Sequence, residues 1–150
     1  MFIDKFSHTP QFETEYLVPR IALVVDDSML IRHTVCRFLE ERGYAAESAS
    51  NGAEALEMLK TVLPDLIITD LSMPKMDGNQ LIEKLKASTQ TKDIPIVVLK
   101  GKNSKNEAAY DPRADCAIFK DIDIAASLDE ALKKTMDRPK AAASSTTKAS

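Results

Sequence analysis

The chain has 150 residues and a formal net charge of −3, and 44% of its residues are apolar, which is enough for one domain with its own core. Acidic residues outnumber basic ones, 23 to 20, which argues against a nucleic-acid-binding surface, and no apolar run approaches bilayer-spanning length. The start, Met1-Phe2-Ile3-Asp4-Lys5, lacks the basic opening and long apolar stretch of a secretory signal, so we expect a cytoplasmic protein without membrane contact.

In chain order, residues 1–19 show no clear periodicity, and Phe2, Phe6, Phe12, Tyr16 and Leu17 suit an irregular arm. Residues 21–25 form a buried, β-branched run closing on Asp26-Asp27. Ser28 has the chemistry of a helix N-cap, Ile31, Val35, Phe38 and Leu39 recur at spacings of three and four, and Gly43 closes that helix as a C-cap would. Residues 44–49 read as a weaker strand, and residues 53–63 as a helix burying Ala55, Leu56 and Leu59. Leu63-Pro64-Asp65 is a turn feeding the run Leu66-Ile67-Ile68-Thr69-Asp70, after which Pro74 and Asp77-Gly78 break the chain. Residues 79–87 predict a helix with Leu81, Ile82 and Leu85 inward, and residues 94–99 a fourth buried strand. A short helix is expected over residues 103–110, ended by Asp111-Pro112. Residues 116–119 make a fifth strand stopping at Lys120, and residues 124–136 a last helix with Ala125, Leu128, Leu132 and Met136 on its buried side. The predicted layout is an N-terminal arm at 1–19, one domain at 20–137 and a low-complexity tail at 138–150.

Strands alternating with helices through short connections specify an α/β fold: a doubly wound, five-stranded parallel sheet of flavodoxin-like topology with helices on both faces. If the first and third strands are neighbours, Asp26, Asp27, Asp70 and Lys120 all stand at carboxyl ends around one switch point, where open α/β sheets bind ligands. Three carboxylates so close resist ionising together unless a cation joins them. Mg²⁺, a hard cation that takes oxygen ligands and keeps several waters, suits this set. Asp27 and Asp70 would be direct ligands, Asp26 would bind through a water, and a backbone carbonyl just past Asp70, at Ser72, would add another. With Mg²⁺ and Lys120 offsetting its charge, an incoming phosphoryl group could be attacked by Asp70 to give an aspartyl phosphate. Cys36 and Cys116, far apart and without a Cys-x-x-Cys spacing, read as reduced packing residues, and His8 and His33 as surface residues.

The acidic pair Asp26-Asp27, the Asn51-Gly52-x-Glu54-Ala55-Leu56 segment, the run 64–70, Met73-Pro74-x-Met76-Asp77-Gly78 and Lys120, in this order and spacing, resemble the receiver domain of two-component response regulators. The resemblance implies that Asp70 is the phosphoacceptor, Asp26 and Asp27 the metal-binding acids and Lys120 the phosphate-contacting lysine. It also implies a histidine kinase or histidine phosphotransfer protein as donor, a downstream protein partner and a signalling role rather than an enzymatic one. A receiver with only a tail beyond it resembles the chemotaxis-type and phosphorelay-type regulators. Three positions depart from the family pattern. Lys100 stands where receivers carry Thr or Ser at the end of the fourth strand, Ala117 where they carry an aromatic, and Asp121 where a proline follows the lysine. Ser104 is a hydroxyl four residues beyond Lys100. The alternatives are a degenerate receiver that binds partners irrespective of phosphate, its surface set by Lys100 and Ala117, and a haloacid dehalogenase-type phosphohydrolase. The latter wants a second acid at position 72, where this chain has Ser72.

Overall fold

The structure, a computed structural model, describes residues 19–101, 110–120 and 123–136. The order is β1 (Ile21–Val25), α1 (Met29–Glu41), β2 (Ala45–Ala49), α2 (Gly52–Met58), β3 (Leu66–Asp70), α3 (Gly78–Ala87), β4 (Ile96–Lys100), β5 (Cys116–Phe119) and α4 (Ile124–Thr135). All strand pairings are parallel, and the sheet order is β2-β1-β3-β4-β5, the doubly wound arrangement expected from the sequence. The helix expected over 103–110 falls almost wholly outside the described residues, as do the arm before Pro19 and the tail after Met136. No helix among the described residues is long and apolar enough to cross a membrane.

β1, β3 and β4 are almost continuous apolar runs because helices cover both faces of the sheet. Alternate residues divide between two cores. Ala22, Val24, Leu66, Ile68, Val97 and Leu99 pack with Val35, Phe38 and Leu39 of α1 and Leu128 and Leu132 of α4. Leu23, Val25, Ile67, Ile96 and Val98 pack with Ala55 of α2 and Leu81, Ile82 and Leu85 of α3. Most of these side chains are wholly buried, and each Leu or Ile contributes roughly 1.5–3 kcal/mol by leaving water. The weak strand expected at 44–49 is an edge strand, which explains its small and polar composition.

Local chemistry sets the element ends. Ser28 caps α1, its Oγ accepting the Ile31 N–H at 3.3 Å. Gly43, at φ +90°, ends it in a Schellman motif in which Gly43 N–H reaches the Glu40 carbonyl and Tyr44 N–H the Leu39 carbonyl, each at 3.0 Å. α2 is shorter than its apolar spacing suggests. After Met58 the bonds tighten to Lys60 N–H on the Glu57 carbonyl and Thr61 N–H on the Met58 carbonyl, and β-branched Thr61 and Val62 followed by Pro64 cannot prolong the helix. β4 begins two residues later than predicted, because Ile94 N–H closes a turn on Thr91 and Pro95 has no N–H to give the ladder. In α4 the buried face is Ile124, Leu128, Ala131, Leu132 and Thr135. Ala125, expected inward, is exposed, one position off that stripe.

α3 starts at a capping box: Asp77 Oδ1 accepts the Gln80 N–H at 2.9 Å, and Gln80 Oε1 accepts the Asp77 N–H at 3.0 Å. Its first residue, Gly78, donates its N–H to the Leu71 carbonyl at 2.8 Å, pressing the helix start against the end of β3. A Cβ there would collide with the Asp70 carbonyl oxygen and stand 2.9 Å from Leu71 Cα, both rigid backbone. Gly78→Ala is therefore expected to destabilise the fold by about 1–3 kcal/mol in urea unfolding, the cost of overpacking against backbone. A stability equal to wild type would show that β3 yields here.

Candidate functional site

The sheet order reverses between β1 and β3, which makes their carboxyl ends the switch point of the sheet, where open α/β sheets bind ligands. Asp26 is the first residue past β1, and Asp70 is the last residue of β3. The register places Val25 against Thr69 and Asp70 against Leu99, which aligns the three central strand ends. The carboxylate oxygens of Asp26, Asp27 and Asp70 lie within 4.8 Å of one another, a donor set suited to a divalent cation. Asp26 and Asp70 are buried and Asp27 is exposed, so the cluster opens to water on the Asp27 side.

Lys120 follows β5 and reaches across the strand ends from that edge strand. Its Nζ lies 3.1 Å from Asp70 Oδ1 and 3.2 Å from Asp26 Oδ2, with the side chain only 16% exposed. Lys120 N–H bonds the Lys100 carbonyl at 2.8 Å, which holds its backbone beside β4. Asp26 is held from several directions: its Oδ1 takes the Ser28 N–H at 2.8 Å, its own N–H reaches the Ala49 carbonyl, and its carbonyl accepts Arg32 Nη1 at 2.8 Å. Its carboxylate therefore keeps one position, and the turn at Asp26-Asp27 is fixed with it.

The electrostatics of the cluster are unfavourable without a further cation. Burial, followed by the charge of Asp26, pushes the Asp70 carboxyl up to about 6, although Lys120 opposes the shift. Burial also raises the Asp26 carboxyl, against the Ser28 N–H and Lys120. Burial alone would lower the Lys120 ammonium, but the charges of Asp26 and Asp70 outweigh it and the net shift is upward. The site thus holds two buried acids on one ammonium, with a third acid at the rim.

The remaining candidates are placed as follows. Ser72 is exposed, two residues past Asp70. Lys100 is the last residue of β4 and half-buried, its Nζ 5.6 Å from the Phe119 ring centroid and 5.8 Å from that of Tyr110. Ala117 pairs with Val98 and packs partly buried against the core on the α2 and α3 face. His33 is exposed on α1, while His8, Ser104 and Asp121 lie outside the described residues. Cys36 and Cys116 are free, half-buried thiols raised above their ordinary pKa chiefly by burial. Sequence reasoning missed the Arg32 contact and the Asp77–Gln80 capping box. The second was readable as an acid followed three residues later by Gln. The first was not, since a guanidinium one turn into a helix reads equally well as solvated.

Acids grouped at the switch point of a doubly wound sheet, with a lysine brought in from the edge strand, make a site suited to a divalent cation in an α/β module. Residues 22–133 match the response regulator receiver domain, and the chain belongs to that family. Among curated relatives, the response regulator MprA of Mycobacterium ulcerans is 39% identical over 95 residues, covering 62% of this chain and 40% of MprA. The chain thus spans about two fifths of the length of this relative. Among solved structures, the chemotaxis protein CheY4 of Vibrio cholerae superposes with a TM-score of 0.70 at 28% identity, covering 79% of this chain and 100% of CheY4. The response regulator TrrA of Thermotoga maritima, in complex with Mg(2+)-BeF, gives 0.66 at 28% identity, covering 77% and 98%.

Proposed function

We propose that this receiver accepts a phosphoryl group on Asp70 from a phosphohistidine on a sensor kinase or phosphotransfer protein, and signals the change through protein contacts. The observation that carries this reading is the convergence of three carboxylates and one ammonium at the strand ends, with Lys120 in contact with both buried acids. A nucleophile must be ionised, and Lys120, in contact with Asp70, opposes the burial that raises its carboxyl to about 6. The donor set fits Mg²⁺: the acids are oxygen ligands, they are crowded, and two of them are raised, first by burial and then by one another's or Asp27's charge. Asp26, Asp27 and Asp70 would hold the ion, with the backbone past Asp70, at Ser72, contributing a carbonyl. Bound there, Mg²⁺ supplies the positive charge that lets the acids ionise together and offsets that of the phosphoryl oxygens.

The chain's own residues do the rest. The donor's P–N bond breaks as a bond forms from an Asp70 carboxylate oxygen to phosphorus. The nitrogen keeps the electron pair and takes up a proton, and Lys120 faces the charge that accumulates on the phosphoryl oxygens. The product carries about −1.5 to −2 charges where one carboxylate stood, enough to draw neighbouring groups to it. The atypical residues Lys100 and Ala117 lie on β4 and β5, so the response of that edge differs from a hydroxyl-and-aromatic pair.

The test is intact mass after incubation with Mg²⁺ and a small acyl phosphate. One labile phosphoryl adduct is expected, suppressed when a chelator removes the metal. Absence of any adduct would support a phosphate-independent interaction module instead, and steady phosphate release at enzymatic turnover would support a phosphohydrolase.

A further inference from the structure

Lys100 ends β4 and pairs in register with Phe119, which ends β5. The strand on its other side carries Asp70, opposite Leu99, so Lys100 is one residue beyond the position facing the phosphoacceptor. Its ammonium stands 5.6 Å from the Phe119 ring centroid and 5.8 Å from the Tyr110 ring centroid. Both distances are near the outer limit of roughly 6 Å for a cation on an aromatic face, so the hold is weak. No carboxylate among the described residues pairs with it. Phe119 is 49% exposed, so its ring can be reached from solvent.

The charge at the strand ends gives this arrangement a purpose. With a divalent ion bound, the three carboxylates and Lys120 balance. Phosphorylating Asp70 replaces one negative charge by about two, leaving the site about one positive charge short. Lys120 is already shared by two acids.

We propose that Lys100 is a second phosphate-binding cation, resting on Phe119 and Tyr110 until Asp70 carries a phosphoryl group, whose oxygens it then contacts. This rests on the phosphoacceptor reading above. A charge-assisted bond to a phosphoryl oxygen is much stronger than a long contact with a ring, so the side chain moves when the anion arrives. Its departure leaves the faces of Phe119 and Tyr110 open at the edge of the sheet, a change in surface that a partner can read.

The probe is beryllium fluoride with Mg²⁺, followed by fluorine NMR and titration. Lys100→Met is expected to weaken its binding about tenfold, the worth of one charge-assisted contact. Phe119→Leu is expected to tighten it about two- to threefold, because the competing resting place is lost, and to have no effect in the Lys100→Met background. In the wild type, the Lys100 ε-methylene resonance should move downfield, out of the ring currents, when the probe binds. Wild-type affinity in Lys100→Met, with binding still dependent on Asp70, overturns the role of Lys100 and leaves the phosphoacceptor reading standing. So does a Phe119→Leu effect that persists without Lys100. No Asp70-dependent binding in the wild type overturns both.

Discussion

Lys120→Met is expected to lower the stability of the metal-free protein at pH 8 by roughly 2–3 kcal/mol and to slow phosphoryl uptake about a hundredfold. The substitution leaves Asp26 and Asp70 buried against each other with no ammonium in contact, whereas Lys120 now lies 3.2 and 3.1 Å from them. Breaking a wholly buried pair costs more, but Lys120 is partly exposed and Asp70 can escape by binding a proton. For the same reason the loss should shrink towards pH 5, where the acids take up protons in the variant. Urea unfolding at the two pH values, with stopped-flow uptake from an acyl phosphate, measures both effects. Unchanged stability at pH 8 would mean that the ion pairs contribute nothing net.

Asp70→Asn is expected to act in the opposite sense on the fold while abolishing phosphorylation. The Asp70 carboxyl is raised from 3.8 to about 6, so the folded state binds its proton more tightly than the unfolded chain does. Its contribution is fully present below pH 4 and is lost as pH rises through 6, since the native state then holds the extra proton no longer. At pH 8 the ionised group therefore costs the metal-free fold up to about 3 kcal/mol, at 1.36 kcal/mol per unit. Asparagine keeps the shape without the charge, so the variant should be more stable than wild type at pH 8 and equal to it near pH 4. Adding Mg²⁺ should stabilise wild type more than the variant and narrow the gap. A variant less stable than wild type at pH 8 without metal would contradict the crowding on which the cation site is argued.

Much of the fold was readable because β1, β3 and β4 are short apolar runs with a turn signal or an acid at their ends, a pattern that buried parallel strands share with little else. Asp26, Asp27, Asp70 and Lys120 could be grouped from the sequence, since each lies at a strand end and the topology brings those ends together. Other features depended on information a linear reading lacks. Leu59 continues the apolar period of Ala55 and Leu56 past Met58, while the hydrogen bonds around the Met58 carbonyl end the helix. Ala125 sits one position from the true stripe of α4, a difference that an alanine's small side chain hardly registers in sequence. The need for glycine at 78 arises from the backbone at Asp70 and Leu71, eight and seven positions away. The resting place of Lys100 depends on the β4–β5 register that sets it beside Phe119.

The most direct measurement is chemical trapping of the phosphorylated residue. Borohydride reduces a carboxyl–phosphate anhydride to an alcohol, so protein treated with Mg²⁺ and acyl phosphate, then reduced and digested, should show homoserine in place of Asp70 and at no other acid. Homoserine at Asp26 or Asp27, or an unreduced Asp70 in protein that carries phosphate elsewhere, would contradict the assignment of Asp70 as the group that takes the phosphoryl.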